Sequence, residues 1–215
     1  MKRILVVNPN TTASVTEMVL AACRNTQPQL QWDGATAAFG APYIASEASY
    51  AVAAHAVLDA FAKHYRAHDA VLIACFGDPG LLALRETCKV PVIGLAESSF
   101  RASAAYGPFA VVTGGSAWGP MLERFARANQ LDAQLHGIFT VELTGAQIAT
   151  NPQGAQADLR RVCQTGVDAG AHAILLGGAA LTGLGPGLQS AVTVPVLDNV
   201  LLAAQAVADA VAAGR

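Results

Sequence analysis

The segment Cys75-Phe76-Gly77-Asp78-Pro79-Gly80 combines a thiol, a carboxylate and residues that let the backbone bend sharply. It directly follows an unbroken apolar run, Ala70-Val71-Leu72-Ile73-Ala74. Pro79 suits the first turn of a helix. A thiol just before a helix start faces free N–H groups and the positive end of the helix dipole, which draws its pKa from about 8.5 toward neutrality. The same N–H groups can hold a carboxylate or an enolate. A thiolate in that position is a nucleophile or a base, with Asp78 holding the loop or tuning the thiol. The plain alternative is a buried, inert cysteine followed by a helix-capping carboxylate, and spacing alone does not separate the two.

Other residues with chemical potential form no comparable group. Cys23, Cys88 and Cys163 sit in helical contexts with no CxxC spacing, and read as buried thiols. His64 and His68 are four apart, as zinc ligands on a helix are, but no third ligand is near, so a solvated helix end is the simpler reading. His172, beside an apolar run, reads as structural. Gly183-Leu184-Gly185-Pro186-Gly187 lacks the spacing of a nucleotide loop and reads as a connection. Pyridoxal phosphate needs a Schiff-base lysine. The chain offers only Lys2, Lys63 and Lys89, none after a strand in a Gly-rich turn, so the expectation is chemistry with no cofactor and no metal.

The elements that must position Cys75 are apolar strands alternating with helical patterns. Strand-like runs fall at Ile4–Val7, Ala35–Phe39, Ala70–Ala74, Val90–Leu95, Phe109–Val112, Leu135–Val141, Ala173–Leu176 and Val194–Leu197. A helix from Thr12 or Ser14 to about Cys23 and a long one from Ser46 to Arg66 are among the intervening segments. This alternation means a parallel α/β architecture. The chain also repeats itself. Asp69-Ala-Val-Leu-Ile-Ala-Cys75 matches His172-Ala-Ile-Leu-Leu-Gly-Gly178, and a Val-Pro-Val segment follows each at similar distance, at Val90 and Val194. Ile4–Asn8 matches Phe109–Thr113 in the same frame. The expectation is two similar flavodoxin-like lobes with parallel sheets and pseudo-twofold symmetry, residues 1–97 plus 198–215 and residues 98–197. The site would lie in the cleft between them, with Cys75 and Gly178 facing one ligand.

Composition bounds the rest. Only 13% of residues are charged, 53% are hydrophobic and the net charge is −2. Disorder is excluded, and there is no basic patch for nucleic acid or for a membrane surface. The apolar start stops at Asn8-Pro9-Asn10, too short for a signal peptide, and no run approaches the roughly 18 residues of a membrane span. The reading is a cytoplasmic protein that acts on a small molecule. So apolar and Ala-rich a chain also implies a homo-oligomer with helix faces at its interface.

Asn8-Pro9-Asn10-Thr11-Thr12 and Ala74-Cys75-Phe76-Gly77-Asp78-Pro79-Gly80-Leu81, with the two-lobe repeat and the final Val-Pro-Val-Leu-Asp, resemble the aspartate/glutamate/hydantoin racemase superfamily, nearest its hydantoin and allantoin branch. The resemblance implies cofactor-free proton transfer at a carbon next to a carbonyl, on a hydantoin, allantoin or amino acid, between two cysteines. It makes Cys75 the first of these. Asn8, Tyr43, Thr113 and Ser116 become substrate contacts, with Tyr50 near the pocket, and Phe76 and Gly77 donors of backbone N–H groups. Asn8 and Thr113 also read simply as strand ends, Ser116 as a helix cap, and the tyrosines as packing. One departure is plain: the family's second cysteine lies in Leu-Gly-Cys-Ala-Gly, and this chain has Leu176-Gly177-Gly178-Ala179-Ala180, with Gly178 in the thiol's place and Ala179 beside it. A glycine moves no proton. The alternatives are a racemase variant, a one-thiol enzyme such as a decarboxylase or cis–trans isomerase, and a protein that only binds its ligand.

Overall fold

In a computed structural model that describes residues 1–214, the chain divides into two compact units, Met1–Ser98 with the chain from Val200 on, and Ser99–Asn199. The first unit contains β1 (Arg3–Asn8), α1 (Ala13–Thr26), β2 (Gln31–Thr36), α2 (Glu47–His64), β3 (Ala70–Ile73), α3 (Leu81–Thr87), β4 (Val92–Gly94) and the start of α4 (Leu95–Ala104). Its four strands are all parallel, in the order β2-β1-β3-β4. The second unit contains β5 (Phe109–Gly114), α5 (Trp118–Ala128), β6 (Leu135–Val141), α6 (Gly145–Thr150), α7 (Pro152–Asp168), β7 (Ala173–Gly177), α8 (Gly185–Gln189) and β8 (Val196–Asp198). It repeats the same parallel order, β6-β5-β7-β8. α9 (Asn199–Ala212) then returns the chain to the first unit. The parallel α/β class read from the sequence is the class observed.

Central strands are buried on both faces, which explains their unbroken apolar runs. Ile4 to Val7 and Ala70 to Ile73 are each at most 1% exposed. Leu5, Val7, Val71 and Ile73 share one core with Val57 and Ala60 of α2 and with Leu81 and Leu84 of α3. In the second unit Ala110, Val112, Ile174 and Leu176 pack with Leu159, Val162 and Cys163 of α7. Each fully buried Val, Leu or Ile contributes about 1.5–3 kcal/mol. Helix starts are set locally. Ser46 caps α2 in a reciprocal pair with Ser49, Thr144 caps α6 with Gln147, and Asn151 caps α7 with Pro152 at its first position.

Three local readings change. The second strand lies at Gln31–Thr36, four residues before the Ala35–Phe39 run. It is an edge strand in which only Trp32 and Ala35 are buried, and Gly34 is there because a Cβ would meet Leu20 Cδ1 of α1 at 2.7 Å. His68 is not on a solvated helix face, because α2 ends at His64. It is 3% exposed, with Nε2 3.1 Å from Asp33 Oδ2 and Nδ1 accepting the Arg66 N–H. The Gly183–Gly187 connection becomes helical at Gly185, with Pro186 in the first turn.

Candidate functional site

The first unit gathers its polar residues at the C-terminal ends of β1 and β3. Val7 pairs with Ile73, and the Ala74 N–H donates to Val7 O at 2.8 Å, so Asn8 and Cys75 leave the sheet on neighbouring strands. Asn8 is fully buried. Its Nδ2 donates to Asn10 Oδ1, Thr12 O and Thr16 Oγ1 at 2.9–3.1 Å, and its Oδ1 accepts the Asn10 N–H. That side chain shapes the Asn8–Thr12 turn. The segment carrying Tyr43 is tied to the same turn through Thr11 N to Ala41 O at 3.2 Å and Thr12 Oγ1 to Pro42 O at 2.8 Å. Tyr43 itself is half-buried.

The Cys75 loop is rigid by construction. Asp78 N–H donates to Cys75 O at 3.0 Å, closing a turn with Gly77 at φ +139° and Asp78 at φ +54°. Asp78 is a non-glycine residue in the left-handed region, a conformation that Asp tolerates better than most. Its carboxylate reaches the N-terminus of α4, accepting the Ala96 N–H at 2.8 Å and the Glu97 N–H at 2.7 Å. The Tyr50 hydroxyl donates to Gly77 O at 2.6 Å from α2. Gly80, at φ +78°, lies so near α2 that a Cβ would stand 2.8 Å from Ala54 O. Residues 74–79 are all buried, with Cys75 9% exposed.

This geometry overturns the expected low pKa at Cys75. α3 begins at Leu81, six residues on and past the Cys75–Gly80 turn, so Cys75 does not stand directly at the start of α3. Burial pushes the thiol well above its ordinary value, and the neighbouring Asp78 charge pushes it further. Asp78 is raised as well, to about 7. Burial dominates, and the two backbone N–H donors only partly offset it. Cys163 is raised to about 12 by burial, as an inert core thiol is. Cys23 is buried in α1, while Cys88 is half-buried just past α3. Among the described residues no three His, Cys, Asp or Glu side chains group as metal ligands.

The second unit carries the matching set. Val112 pairs with Leu176 and Thr113 with Gly177, so the β5/β7 register places Thr113 and Gly178 as β1/β3 places Asn8 and Cys75. Thr113 is 4% exposed. Gly178 is half-buried at φ +119° and ψ 137°, where L side chains are strained. Among the described residues, a Cβ there would meet only Thr113 Oγ1, at 3.8 Å. Ala179 opens a 3₁₀ turn, Ala179–Leu181, whose end is tied by Thr182 Oγ1 to Ala179 O at 2.6 Å. Ser116 is exposed in the β5–α5 loop and caps nothing, because α5 starts after Ala117 with no side-chain cap.

The two units secure these loops in opposite ways. β3/β4 pairs Ile73 with Gly94, and β7/β8 pairs Leu176 with Asp198, so Gly94 and Asp198 are equivalent. In the first unit the carboxylate comes from the loop and reaches the strand–helix junction. In the second, Asp198 at the strand end accepts the Gly183 N–H from the loop at 2.7 Å. Gly94 is not among the residues singled out in the sequence, and Asp198 enters there only as the last residue of the Val-Pro-Val-Leu-Asp segment. The signal that exposes them is the internal repeat, extended past its Val-Pro-Val segments.

A duplicated α/β protein with one polar strand-end cluster per unit is the class that this fold and these residues define. Residues 4–207 match the Asp/Glu/Hydantoin racemase family model, and the chain belongs to that family. It is 31% identical over 203 residues to a hydantoin racemase of Pseudomonas sp. (strain NS671), covering 93% of this chain and 82% of that one. The crystal structure of allantoin racemase from Pseudomonas fluorescens is similar with a TM-score of 0.95 at 28% identity, covering 99% of this chain and 92% of that one. Allantoin racemase from Klebsiella pneumoniae is similar with a TM-score of 0.91 at 31% identity, covering 100% and 89%. Among the described residues no helix is long and apolar enough to cross a membrane.

Proposed function

We propose that the protein is a cofactor-independent isomerase that moves a proton at a carbon next to a carbonyl, with Cys75 as the proton-carrying group and a hydantoin, allantoin or amino acid as substrate. The observation that carries this reading is the placement of Cys75. It leaves a buried central strand beside Asn8, in a turn held by Asp78 and Tyr50, within a chain of the racemase family. In this reading the substrate C–H bond breaks as the Cys75 S–H bond forms, leaving an enolate stabilised by backbone and side-chain donors. Burial keeps the free thiol protonated, so its proton passes to bulk water as the substrate enters. Gly178 supplies no second thiol. Water then protonates the other face, and the resulting hydroxide takes the proton from Cys75.

Thr113, Ser116, Tyr43, Phe76, Gly77 and Ala179 are the proposed substrate contacts, and a homo-oligomer in the cytoplasm is the proposed setting. The reaction is read as loss of optical rotation of a 5-substituted hydantoin or of allantoin. The rate with wild-type protein should exceed that of Cys75→Ala by at least about 100-fold, the range of general acid–base catalysis. Equal rates in the two proteins overturn the reading.

A second reading is favoured by the raised thiol together with Gly178: a one-thiol enzyme in which Cys75 delivers its proton to one face of a carbanion left by decarboxylation, or isomerises a double bond. Turnover in D₂O separates the two. Deuterium entering a single face with retained optical purity supports the one-thiol enzyme, and racemic product supports the racemase.

A further inference from the structure

We propose that Asp78 is a positioning residue for Cys75, acting through its charge as well as its hydrogen bonds. It fastens the Cys75–Gly80 turn to the N-terminus of α4 and, when ionised, holds the neighbouring thiol in its protonated form. The inference rests on the proposed role of Cys75 as the reacting group.

The clamp is built at a cost. Asp78 is 3% exposed, adopts φ +54° and places its carboxylate where a Cβ on residue 94 would have to be, which keeps that position a glycine. Simple fastening does not require this. In the second unit the equivalent loop is tied by a carboxylate on the strand, Asp198, and the position matching Asp78 is Leu181. Thiol and loop carboxylate thus occur together in the first unit and are both absent from the equivalent places in the second. Among the described residues, the titratable groups that face Asp78 are Cys75 from its own loop, Glu97 from α4 and Arg85 from α3. Glu97 is paired with Arg85 at 2.6 Å, and Arg85 also donates to Val92 O at 2.9 Å. That pair largely cancels itself, so the state of Asp78 governs the field at the sulfur.

The test is alkylation of the full chain by iodoacetamide across pH, read cysteine by cysteine by mass spectrometry, with half-buried Cys88 as internal reference. In Asp78→Asn the Cys75 profile should move about 1 pH unit or more to lower pH, the size expected for removal of a nearby like charge, while Cys88 stays in place. Asp78→Glu, which keeps the charge, should not move it down. An unchanged Cys75 profile in Asp78→Asn, a joint shift of Cys75 and Cys88, or an equal fall in Asp78→Glu overturns the proposal. Should Asp78→Asn fail to fold, Asp78→Ser takes its place as the neutral variant: a Cys75 profile moved down with Cys88 unmoved supports the charge role, and an unmoved Cys75 profile overturns it. Alkylation needs no turnover. Activity surviving in Cys75→Ala therefore overturns the proposed function alone, and an unmoved alkylation profile overturns the role of Asp78 alone.

Discussion

The carboxylate of Asp78 occupies the space that a side chain on Gly94 would need. The two residues are sixteen apart in sequence, yet one fixes the identity of the other. Asp78 reaches over the end of β4 to bond the first N–H groups of α4, and only a residue without Cβ leaves it room. Gly94→Ala should therefore displace the carboxylate and cost about 2–4 kcal/mol, from overpacking plus the loss of charge-assisted hydrogen bonds. Urea unfolding measures this. An unaltered midpoint would show that the loop relaxes freely.

The pH dependence of stability should carry the mark of Asp78. Its folded pKa of about 7 lies above the ordinary 3.8, so the folded state binds the proton more tightly than the unfolded chain does. The stabilisation is complete below about pH 4 and is lost as pH rises toward 7, by at most about 1.4 kcal/mol per pH unit. The difference between wild type and Asp78→Asn, measured by chemical unfolding at pH 5 and pH 8, isolates this component. It should show wild type losing more stability than the variant over that interval.

Tyr50 holds the Cys75 loop from α2 through the hydrogen bond that its hydroxyl donates to Gly77 O. Tyr50→Phe should cost about 0.5–1.5 kcal/mol in unfolding free energy. Under the proposed function it should also lower kcat by about 3- to 10-fold with little change in KM, since misplacement of a reacting group acts on the chemical step. Steady-state kinetics with the hydantoin substrate would check this split.

Under the proposed function Gly178 stands where a second thiol would act, and its backbone bears on any attempt to place one there. There is space for a side chain, with Thr113 Oγ1 at 3.8 Å as the only neighbour of a Cβ among the described residues. The φ of +119° nevertheless charges about 1–3 kcal/mol for any L residue. Gly178→Ala and Gly178→Cys should both lose stability by this amount. With Gly178→Ala as the control for strain, the racemisation rate of Gly178→Cys relative to it reads the effect of the thiol, and a rise of at least 10-fold is expected if residue 178 serves the same reaction as Cys75.

Strand identity, strand order class and the duplication were legible in the sequence because they rest on local patterns. Ile4–Val7 and Ala70–Ala74 are apolar on every residue, as only strands covered on both faces can be. The matched frame that sets Asn8 against Thr113 and Cys75 against Gly178 reappears in the β1/β3 and β5/β7 registers. The edge strand β2 was displaced in the reading because its residues Gln31–Gly34 obey a contact with α1 and not an apolar run. Membership of the racemase family, too, is carried by sequence alone. What only the tertiary structure decided is the electrostatic state of the site. The segment Cys75–Gly80 looks like a strand feeding directly into a helix, which would favour a thiolate. Folding instead inserts a turn, buries the sulfur and brings Asp78 to α4, and these are long-range effects that spacing along the chain does not encode.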